Sequence, residues 1–197
     1  SELHLASTDR KSRMLEMTNC ISKYIDETQP DMVVVYGDTD TTLAAAHSAT
    51  KKKITLCHIE AGLRSHNLEM PEEINRIETD KLSQLLLCPS EEAVSQLQNE
   101  NITEGVYMVG DIMKDAIQMS QESVSNLRGY NYYYATLHRP YNVDNEDRLR
   151  YVLDILNNLK ETVILPLHPR TEGKMKKFNI LKNCVFIPFF LSRLLIT

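Results

Sequence analysis

Apolar residues recur at helical spacing between Lys11 and Thr28, at Met14, Leu15, Met17, Ile21, Tyr24 and Ile25, which predicts an amphipathic helix. Pro30 stops it, because the residue before a proline is pushed out of the helical region. Met32-Val-Val-Val-Tyr36 then forms a short apolar run, the pattern of a strand buried on both faces. After a turn at Gly37-Asp38-Thr39, the alternation continues. It predicts a helix from about Thr41 to Lys51, a strand over 54–59, a helix over 72–82 and a strand over 85–88. Ser90 reads as an N-cap, with Glu91 and Glu92 in the first turn where the helix dipole favours acids, and that helix runs to about Asn99. A strand over 106–109 and a helix from Asp111 to about Val124 complete the first series.

Strands alternating with helices imply parallel sheets built from right-handed β-α-β units. The segment 125–131, with Gly129, reads as a connector, after which the rhythm restarts. A strand over 132–137, a helix over 145–159, a strand over 162–167, a short basic helix and a strand over 184–187 follow. The fold class is therefore α/β, with two Rossmann-like parallel-sheet domains at 1–125 and 126–197. Each has fewer strands than a doubly wound domain usually carries, so both are expected to be incomplete. The closing segment 189–197 is apolar without clear periodicity.

Composition narrows the function. Hydrophobic residues make up 42% of 197, enough for packed cores. The net charge of −5 comes with no basic stripe, which argues against nucleic acid or an anionic membrane as partner. The four cysteines (Cys20, Cys57, Cys88 and Cys184) are dispersed, with Cys57 and Cys88 inside strand-like runs, as expected of buried free thiols in a reducing cytoplasm. The longest apolar stretch, 185–191, is too short to span a bilayer. The histidines are not at i, i+4 spacing, so no metal site is expected. No G-x-G-x-x-G or phosphate-loop pattern is present either.

Ligand sites of open parallel sheets lie beyond the carboxyl ends of the strands. The first predicted strand leads into Gly37-Asp38-Thr39-Asp40-Thr41-Thr42, and the second into Glu60-Ala61-Gly62-Leu63-Arg64. After the restart the strand ends carry His138-Arg139-Pro140 and His168-Pro169-Arg170. Acids, histidines and arginines at successive strand ends suit an anionic sugar. Taken singly, Asp38 also reads as a turn or N-cap residue, Glu72 as a dipole-favoured surface acid and His168 as a capping histidine. His47 reads as structural, His66 carries no signal, and the run 174–177 reads as a solvated face.

Tyr36-Gly-Asp-Thr-Asp-Thr-Thr42, His58-Ile-Glu-Ala-Gly-Leu-Arg64, Met70-Pro-Glu-Glu-Ile-Asn-Arg76 and Leu137-His-Arg-Pro140 together resemble successive signatures of the non-hydrolysing UDP-N-acetylglucosamine 2-epimerases. They stand in that family's order from about Lys11 to about Ile187. The resemblance implies a GT-B architecture and an isomerase of the cytoplasm that interconverts UDP-N-acetylglucosamine and UDP-N-acetylmannosamine for polysaccharide synthesis. It implies a UDP-sugar substrate, no cofactor and a homodimer. Carbon 2 of the sugar has no adjacent carbonyl, so UDP is eliminated across C1–C2 to leave 2-acetamidoglucal, then added back with C2 inverted. A base takes the C2 proton, an acid returns one from the other face, and cations stabilise the diphosphate. By position, Asp38, Glu60, Glu72 and His138 match catalytic residues of the family. Arg64, Arg76, Arg139 and His168 become candidate substrate contacts, since arginine suits bidentate phosphate binding.

The family's leading strand with its Gly-Thr-Arg-Pro-Glu turn is not found here, nor are its later Ser-Gly-Gly and uridine-holding segments. The chain is therefore expected to be a fragment of low activity. The alternatives are a hydrolysing relative that releases N-acetylmannosamine and UDP, an enzyme acting on a diacetamido-sugar nucleotide, a non-catalytic sugar-nucleotide-binding remnant, and a GT-B glycosyltransferase.

Overall fold

Asp9 starts the first helix, α1 (Arg10–Thr28), by accepting a hydrogen bond from the Ser12 amide at 2.9 Å, and Gln29 ends it in the left-handed region. The computed structural model describes residues 9–121, 131–180 and 185–188. Within these, β1 (Met32–Tyr36), β2 (Thr55–Ile59), β3 (Leu85–Cys88) and β4 (Val106–Met108) form one parallel sheet in sequential order. The crossovers carry α2 (Asp40–Lys51), α3 (Pro71–Leu82) and α4 (Glu91–Asn99), and α5 (Ile112–Gln121) follows β4.

Sequential order combined with right-handed crossovers places α2, α3 and α4 on one face of the sheet. The register shows which residues point there. Val33 pairs with Leu56, and Val35, His58, Leu86 and Val106 form one row across all four strands. Val35, Leu56, His58 and Leu86 are buried. Around them, Ala46 and Ala49 of α2 and Ala93 and Leu97 of α4 fill the layer between sheet and helices.

The opposite face explains a correction. β1 was expected to be buried on both sides, yet Met32, Val34 and Tyr36 are 41%, 55% and 44% exposed. The three crossover helices stand on the other side, so on β1 only the alternate residues Val33 and Val35 are packed.

A second parallel sheet has the order β5 (Tyr132–Tyr134), β6 (Thr162–Leu167), β7 (Val185–Pro188). The strand expected over 132–137 is interrupted. Its regular ladder stops at Tyr134, Ala135 donates to the Ile164 carbonyl at 3.0 Å, and Leu137 rejoins through a single bridge to Leu167. A short helix absent from the sequence reading, α6 (Pro140–Val143), starts with proline at its first position, where a missing N–H does no harm. Then come α7 (Glu146–Asn157), capped by Asn145, and α8 (Pro169–Lys177), capped by His168. Leu137, Val143, Leu149, Leu153, Leu165, Leu167 and Met175 build the core of this part.

The chain forms two compact units, Ser1–Ala116 and Ile117–Thr197, divided within α5. The boundary expected at 125/126, the end of the fifth helix at 122–124, most of the connector 125–131, Cys184 and the segment 189–197 lie outside the described residues. Cys57 and Cys88 are buried free thiols. Burial, with the charge of Asp80 behind it, pushes the Cys88 thiol up to about 11.

Candidate active site

The carboxyl edge of the first sheet is shaped by two turns, one after β1 and one after β2. In the first, Gly37 takes φ +67. Thr39 rather than Asp38 caps α2, accepting from the Thr42 amide at 3.3 Å, while the Thr42 hydroxyl donates to the Tyr36 carbonyl at 2.8 Å. The Asp38 carboxylate is therefore not consumed by the helix end. Its main-chain carbonyl accepts from Asn75 Nδ2 at 2.9 Å, and its Oδ2 from Arg76 Nη2 at 2.6 Å.

In the second turn Glu60 adopts φ +71, a left-handed conformation that few residues other than glycine take up. Its amide donates to the Leu87 carbonyl on β3 at 3.0 Å, and Arg76 Nη1 donates to its carbonyl. Arg76 Nη2 also lies 4.0 Å from Glu60 Oε2. One guanidinium thus bridges Asp38 and Glu60. The Arg76 side chain is 8% exposed, while those of Asp38 and Glu60 are 33% and 30% exposed. The acids meet solvent and the cation lies behind them. Glycine suits position 37 because its φ of +67 is a backbone conformation that residues with a Cβ rarely adopt.

Glu72 stands four residues before Arg76 on α3, on the same helix face, and is half-buried. Arg10 binds Asp40 Oδ1 at 2.8 Å and Asn75 Oδ1 at 2.8 Å. The Asp40 hydrogen bond, and behind it the charges of Asp40, Glu72 and Glu78, push the pKa of Arg10 up against desolvation. A cavity of about 250 Å³ opens along the same edge, with an apolar floor of Tyr36, Ile59 and Leu87 and an acidic rim of Glu60, Asp111 and Asp115. Burial, then the charges of Glu60 and Asp111, raises the Tyr36 hydroxyl.

Arg64 requires a correction. It was expected to contact substrate, but its side chain is 2% exposed. Its Nε and Nη2 donate to Glu100 at 2.7 and 2.8 Å, and its Nη1 to Asp80 Oδ2 and the Leu63 carbonyl, each at 2.7 Å. A guanidinium taken out of water needs such partners, and Arg64 finds all of them inside the protein. The Arg64 hydrogen bond holds the Glu100 carboxyl below its ordinary range.

Sequence reasoning did not single out His58, Glu73, Asn75 or Asp80, all buried. Glu73 accepts from the Ser65 and His66 amides at 2.7 and 3.0 Å, fixing the loop between β2 and α3. The signal was available: Glu73, Arg76 and Asp80 share one face of α3, and that face is polar where packing would ask for apolar residues.

The second unit holds the remaining candidates. The His138 and His168 rings are 5.6 Å apart at 36°. His168 Nδ1 accepts from the Arg170 amide at 3.2 Å, so the capping role is real, and it leaves Nε2 on the side of the ring away from the helix end. Arg139 occupies the N-cap position of α6. Asp38, Glu60, Glu72 and Arg76 belong to the first unit, and His138, Arg139 and His168 to the second. Among the described residues, no group of three His, Cys, Asp or Glu side chains is placed to hold a metal, and no helix is long and apolar enough to cross a membrane.

The sequence model of the family described as UDP-N-acetylglucosamine 2-epimerase matches residues 1–190. The chain belongs to this family. A UDP-N-acetylglucosamine 2-epimerase homolog of Methanococcus maripaludis is 35% identical over 191 residues, which cover 92% of this chain and 54% of that protein. The UDP-2,3-diacetamido-2,3-dideoxy-D-glucuronate 2-epimerase of Pseudomonas aeruginosa is 40% identical over 170 residues, covering 81% and 48%. The crystal structure of Methanocaldococcus jannaschii UDP-GlcNAc 2-epimerase, in complex with UDP-GlcNAc and UDP, superposes with a TM-score of 0.82 at 35% identity, covering 95% of this chain and 59% of that one. The fold class is thus α/β of the GT-B kind. The chain spans about half the length of the curated relatives it matches.

Proposed function

We propose that this chain carries the proton-transfer machinery of a UDP-N-acetylglucosamine 2-epimerase of the non-hydrolysing type, an isomerase that uses no cofactor. The observation behind the proposal is the Asp38–Arg76–Glu60 bridge at the carboxyl edge of a parallel sheet, with contacts of 2.6 and 4.0 Å. Half-exposed carboxylates backed by a buried cation suit groups that must meet a sugar and pass protons. In the proposed reaction a base removes the C2 proton, the C1=C2 bond forms, and the C1–O electron pair leaves with UDP. On return an acid delivers a proton to the other face of C2 as UDP re-adds at C1. Asp38, Glu60 and Glu72 are the proposed proton carriers. His138, with Arg139 and His168, is proposed to serve the diphosphate, where positive charge or N–H donors stabilise the leaving group. The protein is proposed to act as a homodimer in the cytoplasm. The test is incubation with UDP-N-acetylglucosamine followed by NMR. UDP-N-acetylmannosamine is the expected product, whereas accumulation of free N-acetylmannosamine would make the protein a hydrolase.

A second reading has its own support. The Pseudomonas aeruginosa relative is 40% identical and is named for a diacetamido-glucuronate substrate. A higher kcat/KM for that nucleotide sugar than for UDP-N-acetylglucosamine would select it.

A further inference from the structure

Behind the two turns of the site lies a fully buried histidine that the proposed chemistry does not use. His58, on β2, has no exposed surface. Its Nε2 is 2.8 Å from the Gly37 carbonyl, and its Nδ1 is 2.6 Å from Asp80 Oδ1. The other Asp80 oxygen accepts from the Gly62 amide at 3.2 Å and from Arg64 Nη1 at 2.7 Å.

A carbonyl oxygen only accepts, so Nε2 donates to Gly37, while Nδ1 and Asp80 Oδ1 share the second hydrogen bond.

The positions of the contacts matter more than their strength. Gly37 immediately precedes Asp38, and Gly62 follows Glu60 by two residues. We propose that His58 is a positioning residue: its ring ties the turn bearing Asp38, through Asp80, to the turn bearing Glu60, and so sets the spacing of the two carboxylates. The inference rests on reading Asp38 and Glu60 as the proton-transfer pair. The left-handed backbone of Glu60 needs such support, because an uncommon conformation persists only where its surroundings determine it. Gly62 is seated equally tightly, at φ +82 with Ala93 O only 2.4 Å from where a Cβ would be.

The test separates the two hydrogen bonds. In His58→Asn the side-chain amide nitrogen takes the place of Nδ1 and keeps the Asp80 contact while losing Gly37. In His58→Gln it takes the place of Nε2 and keeps Gly37 while losing Asp80. Two readouts are made on the chain itself. In His58→Asn, shown by circular dichroism to be folded, amide protection at Gly37, Asp38 and Thr39 should fall and the Glu60 amide resonance should move. Unchanged protection and shifts overturn the positioning role whatever the activity. Where the wild type turns over UDP-N-acetylglucosamine, His58→Asn should lower kcat about 10- to 100-fold with little change in KM, the size expected of misplaced reacting groups, and His58→Gln should recover part of it. A folded His58→Asn with wild-type kcat overturns the proposal, whereas a wild type without turnover counts against the reaction and leaves the spectroscopic result to decide the positioning.

Discussion

At the scale of single residues, the site consists of two half-exposed acids and the buried arginine behind them. Glu60→Gln and Asp38→Asn should each lower turnover by roughly 100-fold or more, the range for a lost general acid or base, while binding of the nucleotide sugar changes little. Kinetics with a parallel calorimetric titration checks this, and a lowered affinity at unchanged kcat would move these residues from chemistry to binding. Arg64→Ala should behave oppositely. It leaves Asp80 buried and Glu100 half-buried without their partner and should destabilise the chain by about 3–5 kcal/mol in urea unfolding. The same pair sets a dependence on pH. The carboxyl of Glu100 is depressed in the folded state, so its stabilisation is complete above the ordinary carboxylate value of 4.5 and is lost as pH falls through the lower folded value. Urea midpoints measured downward from pH 5 should drop in the wild type, and more shallowly in Glu100→Gln.

The place of Asp38 and Glu60 at the sheet edge was legible in the sequence because they follow directly on apolar runs, where a strand delivers its next residues. The roles of the arginines were not. Arg64 and Arg76 look alike in sequence, and only the fold shows that Arg64 faces Asp80 and Glu100 while Arg76 faces Asp38 and Glu60. His58 stayed hidden for the same reason: its partner on α3 is 22 residues away, and a buried polar pair leaves no periodic mark.

At the scale of elements, periodicity located nearly every helix and strand, since core-facing positions repeat with the period of the element. Where it misled, packing decided. The uniform apolar run of β1 could not reveal that all crossover helices stand on one side of the sheet. The strand expected over 132–137 breaks after Tyr134, ahead of the helix that Pro140 initiates. The turn after β2 is sensitive to change. Gly62→Ala places a methyl group against the Ala93 carbonyl in a backbone region that alanine avoids, and should destabilise by more than about 1 kcal/mol, read from the thermal midpoint. An unchanged midpoint would mean that the turn relaxes freely, and would weaken the case for a fixed Glu60.

At the scale of the molecule, the candidate carboxylates lie in the first unit and the candidate histidines in the second. Apolar side chains remain open on the first unit, including Val34 and Tyr36 of β1 and Tyr107, Met108, Ile112 and Met113 near β4 and α5. Exposed apolar area of this kind favours association. Light scattering should show self-association that rises with concentration, while a strictly monomeric chain would argue against an interface here. The most direct test of the proposed proton transfer is exchange at C2. The purified chain, shown to be folded, is incubated with UDP-N-acetylglucosamine in deuterated water, and the sugar is followed by NMR. Deuterium should enter C2 as UDP-N-acetylmannosamine forms, and Glu60→Gln should slow that entry by roughly 100-fold or more. No deuterium at C2 in the wild type, or equal incorporation by Glu60→Gln, would contradict proton transfer by the Asp38–Glu60 pair.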